Sequence, residues 1–367
     1  MQKRMLVSTR KGLFELGRGR NGWVVKDTSF LGDNVTLALH DARDGTDYAA
    51  LNHGHFGIKL HRRDKGKKTW VEIATPKYPE KPEGLVDNDG WGKPVTWSTQ
   101  LIWALETGGP RQKGVLWAGT MPGGLFRSSD RGETWQLMES LWRHPDRNKW
   151  LGGGADLPGI HSICVDPRDA NTIRVAISCG GVWRSEDGGQ SWAQSAHGMK
   201  FDNGPKSEAE SPDAQDPHMM VQCAGAPSKF WVQHHAGIFK SVDDAKTWTE
   251  VKAAPSSFGF GVVVHPKDPD TAWFVPGIKD EKRIPVDGKL VVTRTRDGGR
   301  TFKSLKKGLP QKHAYDVIFR HALAIDDSGK QLAMGSTTGN VWVSGDQGDS
   351  WALVSSTLPQ VYALRFA

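Results

Sequence analysis

An eight-residue pattern, Ser-x-Asp-x-Gly-x-Thr/Ser-Trp, occurs at Ser128 to Trp135, Ser185 to Trp192 and Ser344 to Trp351. Looser copies run from Ser241 to Trp248, with Ala245 in the glycine's place, and from Thr295 to Phe302. A copy one residue longer runs from Arg62 through Asp64 and Gly66 to Trp70. In such a stretch the Asp and Ser or Thr side chains can bond backbone groups of their own turn. The glycine accepts a backbone angle that other residues resist, and the Trp offers a large apolar body to a neighbour. Short apolar segments precede the copies, as at Gly124 to Arg127, Gly181 to Arg184 and Gly237 to Lys240, and others follow them. Each copy therefore reads as the turn between two antiparallel strands. A catalytic carboxylate is not needed once per repeat, so these Asp residues read as turn chemistry.

Strand-like runs around each copy fit a four-strand unit, lettered A to D. One unit has strand A at Ile160 to Val165, B at Ile173 to Ser178, C at Val182 to Arg184 and D from Trp192. Applied along the chain, the template gives seven units, the last with a strand A at Val317 to Ala324. The N-terminal unit (Met5 to Thr9, Gly12 to Leu16, Trp23 to Lys26) lacks a strand A, and Val361 to Phe366 is a strand A with nothing after it. The expected fold is all-β: a seven-bladed β-propeller with four-stranded blades, one domain over residues 1–367. The C-terminal strand closes the ring in the N-terminal blade and leaves no free sheet edge.

The repeated turn resembles the Asp box of the bacterial neuraminidase repeat proteins. That group includes sialidases, sortilin-type receptors, some xyloglucanases and photosystem II assembly factors. The resemblance implies the propeller and is nearly silent about activity. A sialidase would carry Arg-Ile-Pro ahead of the first Asp box; here Arg283-Ile284-Pro285 falls in the sixth unit, and with 4 tyrosines no Tyr-Glu nucleophile pair is evident. The triplet is read as a chance match.

The net charge of +7 is scattered, its densest runs lying beside turns, which points away from a nucleic-acid footprint. No stretch approaches a membrane span. No signal-like apolar core opens the chain, so a cytoplasmic location is the expectation. The 3 cysteines form no CxxC pair, and Cys164 and Cys223 read as buried thiols.

Three connections are long, at Thr75 to Ser98, Glu139 to Gly159 and Ser195 to Pro217. Loops of this length are usually functional or unstructured. All run from a strand D to the next strand A, so they share one face with the B-to-C loops, opposite the repeated turns. A site is expected there, around the central channel. His161 and His321 each lie five residues before the Asp that ends a strand A, and His218 begins another. His53, His55, His234 and His235 sit in B-to-C loops of the same face. Imidazoles converging from several blades suit a divalent metal such as Zn, Mn, Fe or Cu. Arg10, Lys11 or Arg320 could hold an anionic group nearby, and Tyr315 is placed to join the chemistry. The function expected is a metal-dependent hydrolase or lyase acting on a small polar or carbohydrate-derived anion. Two readings compete with it. One is a metal-free glycoside hydrolase using two of Asp156, Glu208, Glu210, Asp213 and Asp216. The other is a non-catalytic binding or assembly scaffold, with each histidine merely capping a turn or filling a blade interface.

Overall fold

The computed structural model describes residues 2–20, 22–152, 156–201 and 209–367. Seven four-stranded antiparallel sheets form a β-propeller. The innermost strands are Val361–Phe366, Val35–Asp41, Leu101–Thr107, Ile160–Val165, Pro217–Gln222, Gly259–His265 and Leu323–Ile325. They touch one another in cyclic order, so the sheets stand as blades around a channel. Val361–Phe366 pairs antiparallel with Arg4–Thr9, Met5 lying opposite Phe366, and completes the first blade as expected. Among the described residues no helix is long and apolar enough to cross a membrane.

The repeated turn is self-stapled. Ser128 Oγ donates to Asp130 Oδ1 at 2.8 Å and accepts the Gly132 N–H at 2.9 Å. Asp130 in turn accepts the Thr134 N–H at 2.9 Å and its hydroxyl at 2.5 Å. The same set recurs at Asp187, Asp243, Asp297 and Asp346. Gly132 sits at φ 85°, and Ala245 holds the left-handed region at φ 64° despite its Cβ. The longer copy differs: Asp64 pairs with Arg131 of the next blade at 2.6 Å. Two Trp residues of the pattern tie their blade to the one before, Trp135 Nε1 donating to Ala74 O and Trp248 Nε1 to Ser195 O.

The seventh blade departs from expectation. Its inner strand covers only Leu323–Ile325 rather than Val317 to Ala324. The Val317 N–H bonds to Thr337 Oγ1 and the Ala322 N–H to Phe319 O, so the chain turns before the strand begins. That turn places Arg320 and His321 at the channel.

Candidate functional site

On the loop face a cavity of about 340 Å³ opens at the mouth of the channel. All three long connections border it, through Trp91, Leu151 and Phe201. The B-to-C loops add Cys179, His235, Asp280 and Arg283, and the inner strands and their approaches add Trp103, Asp216, His218, Phe260 and Arg320.

Asp216 is the most constrained of these groups. It directly precedes the strand Pro217–Gln222, two residues from His218, and the two side chains lean to one side. The Asp216 N–H donates to His234 Nε2 at 3.0 Å. Its Oδ1 accepts Ser178 Oγ–H at 3.2 Å and the Cys179 N–H at 3.1 Å. Cys179 offers that N–H from a left-handed backbone, φ 48°, the kind of local strain found where a turn must aim a group. Asp216 Oδ2 faces two imidazoles, His218 Nε2 at 3.5 Å and His235 Nδ1 at 3.5 Å. Burial works to raise the Asp216 carboxyl, but the facing His218 and His235 hold it well below the usual carboxylate range. Burial lowers His218 against the pull of Asp216. His218 Nδ1 lies 2.7 Å from Gly259 O; a carbonyl only accepts, so Nδ1 carries the proton.

Arg320 lies between two aromatic faces, its guanidinium 4.9 Å from the Trp103 ring centre and 5.5 Å from that of Phe260. Its Nε is buried without a hydrogen-bond partner, and among the described residues no carboxylate bonds it. Burial lowers its pKa to about 10, against the pull of Asp216. Arg283 bonds Asp280 at 2.6 Å and stacks on Phe260 at 5.3 Å. The triplet read from sequence as a chance match thus contributes a wall of the cavity.

Among the described residues, one group of three or more metal-capable side chains has its donor atoms within 4.8 Å of one another: Asp216, His218 and His235. The grouping of His161, His218 and His321 expected from register is not the one found. His161 Nε2–H donates to Pro217 O at 2.7 Å, and His321 Nε2–H donates to His161 O at 2.8 Å. Both line a second cavity of about 510 Å³, which shares Trp103 with the first. Both ring nitrogens of His234 face backbone N–H groups, and burial lowers its pKa to about 3. His53 and His55 lie on the second blade, beside and within the turn Gly54–Phe56, outside the cavity lining. Tyr315 is 60% exposed, and neither it nor Arg10 borders the cavity. Of the loop carboxylates, Asp156 is exposed, Glu210 pairs with Lys200 and Asp213 with Lys149. Glu208 lies outside the described residues.

Sequence reasoning passed over Trp103, Phe260 and Asp280, and weighed Asp216 only as a loop carboxylate. The Asp216-x-His218 spacing was a readable signal, because alternate residues of an extended segment share a face.

No protein-family model matches the chain. Among curated proteins it is 24% identical over 271 residues to an oligoxyloglucan-reducing end-specific xyloglucanase of Emericella nidulans, a match taking in 66% of this chain and 31% of that protein. It is 24% identical over 249 residues to a xyloglucanase of Hypocrea jecorina, over 60% of this chain and 26% of that one. The chain therefore spans about a third or less of the length of these relatives. Among solved structures, it is similar to a GH74 xyloglucanase from Xanthomonas campestris, with TM-score 0.63 and 17% identity over 96% of this chain and 52% of that one. It is similar to a periplasmic gluconolactonase of Pseudomonas aeruginosa, with TM-score 0.60 and 11% identity over 100% and 99% of the two chains. It also resembles YCF48 bound to a D1 peptide, with TM-score 0.52 and 14% identity over 95% and 88%. At these identities the likeness is one of fold.

Proposed function

We propose that the protein is a hydrolase acting, in the loop-face cavity, on a small carbohydrate-derived substrate that carries an anionic group. Arg320 carries this reading: a guanidinium at the cavity with aromatic faces around it and, among the described residues, no bonded carboxylate. Such a group suits a substrate carboxylate or phosphate, which it can meet with two parallel N–H bonds. Trp91 and Trp103 offer apolar faces to the C–H face of a sugar ring. A volume of about 340 Å³ stands at the low end of small-ligand sites, ~300–1,000 Å³, and fits one or two sugar units rather than a polymer chain. Asp216, held ionised at the cavity, is the carboxylate that would position the attacking water, directly or through a cation it holds. The xyloglucanase names of the curated relatives support a sugar-derived substrate and its hydrolysis.

The test is turnover of a panel of uronic acid glycosides, aldonolactones and neutral xyloglucan oligosaccharides by the wild type and Arg320→Gln. Turnover of an acid-bearing member, with KM raised at least about tenfold in Arg320→Gln, is expected. Absence of both turnover and binding for every acid-bearing member overturns the reading. Equal turnover of neutral substrates by both proteins does so as well. A peptide held on this face without turnover would instead favour an assembly role.

A further inference from the structure

Asp216 Oδ2 stands 3.5 Å from each of two imidazole nitrogens. That is too long for N–H···O hydrogen bonds, which run ~2.7–3.2 Å. It is close to the edge of a tetrahedron built on metal bonds of ~2.0–2.1 Å, about 3.4 Å. The tautomer of His218 points the same way. With Nδ1–H committed to Gly259 O, a neutral ring turns the lone pair of Nε2 toward a carboxylate. Two electron-pair donors that face each other in a buried site need a cation between them. No arginine supplies it, since among the described residues none bonds Asp216, whose partners are Ser178, Cys179 and the two imidazoles.

We infer that Asp216 Oδ2, His218 Nε2 and His235 Nδ1 together ligate one divalent transition-metal ion, with its remaining coordination positions open to the cavity. The surroundings are those of a built ligand set. A backbone carbonyl fixes the tautomer and orientation of His218, the usual outer-shell partner of a metal-binding imidazole. Ser178 and Cys179 hold the second oxygen of Asp216 and leave Oδ2 to the ion. His235 packs edge-on to His218, ring centres 5.6 Å apart, with Phe258 against both. Two imidazoles and one carboxylate select Zn, Fe, Mn, Co or Ni over Ca or Mg, which prefer all-oxygen sites. Three protein ligands leave room for water or a substrate oxygen, as catalytic sites do and closed structural sites do not.

The inference shares its cavity with the proposed hydrolase but stands on ligand geometry alone, so each can fail without the other. The full-length protein is stripped with a chelator and titrated calorimetrically with Zn²⁺ and, separately, Mn²⁺. One ion per chain is expected, with affinity at least about 100-fold weaker in His218→Ala and in Asp216→Asn, and unchanged in His40→Ala on the opposite face. Should the cavity variants fail to fold, Co²⁺ added to the wild type supplies the second measurement, a visible spectrum of a four- or five-coordinate ion being expected. Absence of binding to the wild type overturns the inference. Binding that survives intact in folded His218→Ala and Asp216→Asn overturns it too. Stoichiometric binding without turnover of any sugar leaves the metal centre standing and removes the hydrolase.

Discussion

His321 of the seventh blade donates its Nε2 hydrogen across the ring to the carbonyl oxygen of His161 in the fourth, at 2.8 Å. His161 passes the connection on by donating to Pro217 O in the fifth blade at 2.7 Å, one residue from Asp216. Two histidines thus bridge the channel between the seventh, fourth and fifth blades.

This bridge has a pH signature. Burial lowers His321 to about 4, although its bond to His161 O works the other way. An imidazole kept neutral in the fold contributes stability that is whole above its unfolded pKa, ~6.5, and is lost as pH falls toward the folded value. For His321 alone the loss is up to about 1.4 kcal/mol per pH unit between those limits. His321→Gln, which keeps an N–H donor without a titrating ring, should flatten the dependence. Urea unfolding at several pH values between 7 and 4.5 measures it; an unchanged slope in the variant would contradict the assignment.

Asp130→Ala and Asp346→Ala should each cost about 1–2 kcal/mol, through loss of the turn bonds to Thr134 and Ser350. Substrate turnover should be untouched once the variants are folded. A stable variant with selectively lost turnover would move these carboxylates from turn chemistry to catalysis.

Removal of Val361 to Ala367 takes away the strand that pairs with Arg4–Thr9 and bares a long apolar edge. Aggregation, rather than a cooperative shorter protein, is expected. Size-exclusion chromatography with a melting curve decides; a monomeric truncation with a sharp transition would mean that closure is dispensable.

Arg320→Lys keeps the charge and gives up the planar stack on Trp103 and Phe260. Binding of an acidic sugar should fall by about tenfold, within the ~0.5–2 kcal/mol of such cation–π contacts. Equal affinity for both proteins would show that charge alone matters there.

The propeller was legible because its determinants are local. Ser128, Asp130, Gly132 and Thr134 bond one another within a few residues, and the pattern repeats. Even ring closure could be read, from a strand without a unit at one end and a unit without a strand at the other. The face of the site was legible for the same reason, since loop lengths and strand order are counted along the chain. The site itself was only partly so. His218 and His235 were named among seven histidines, but nothing local separates them from His161, whose nitrogens are consumed by Pro217 and Ser162. Trp103, Phe260 and Arg320 come from the third, sixth and seventh blades and meet only across the channel. The turn that delivers Arg320 replaced the first part of an expected strand, a change that depends on Thr337, twenty residues away.

The most direct measurement is anomalous diffraction from crystals of the chain soaked in Zn²⁺ or Mn²⁺, recorded at the metal's absorption edge. One peak is expected on the cavity side of Asp216, about 2.0–2.2 Å from its Oδ2, from His218 Nε2 and from His235 Nδ1. Crystals that bind the ion elsewhere, or show no peak among these three atoms, would contradict the metal centre at the heart of the cavity.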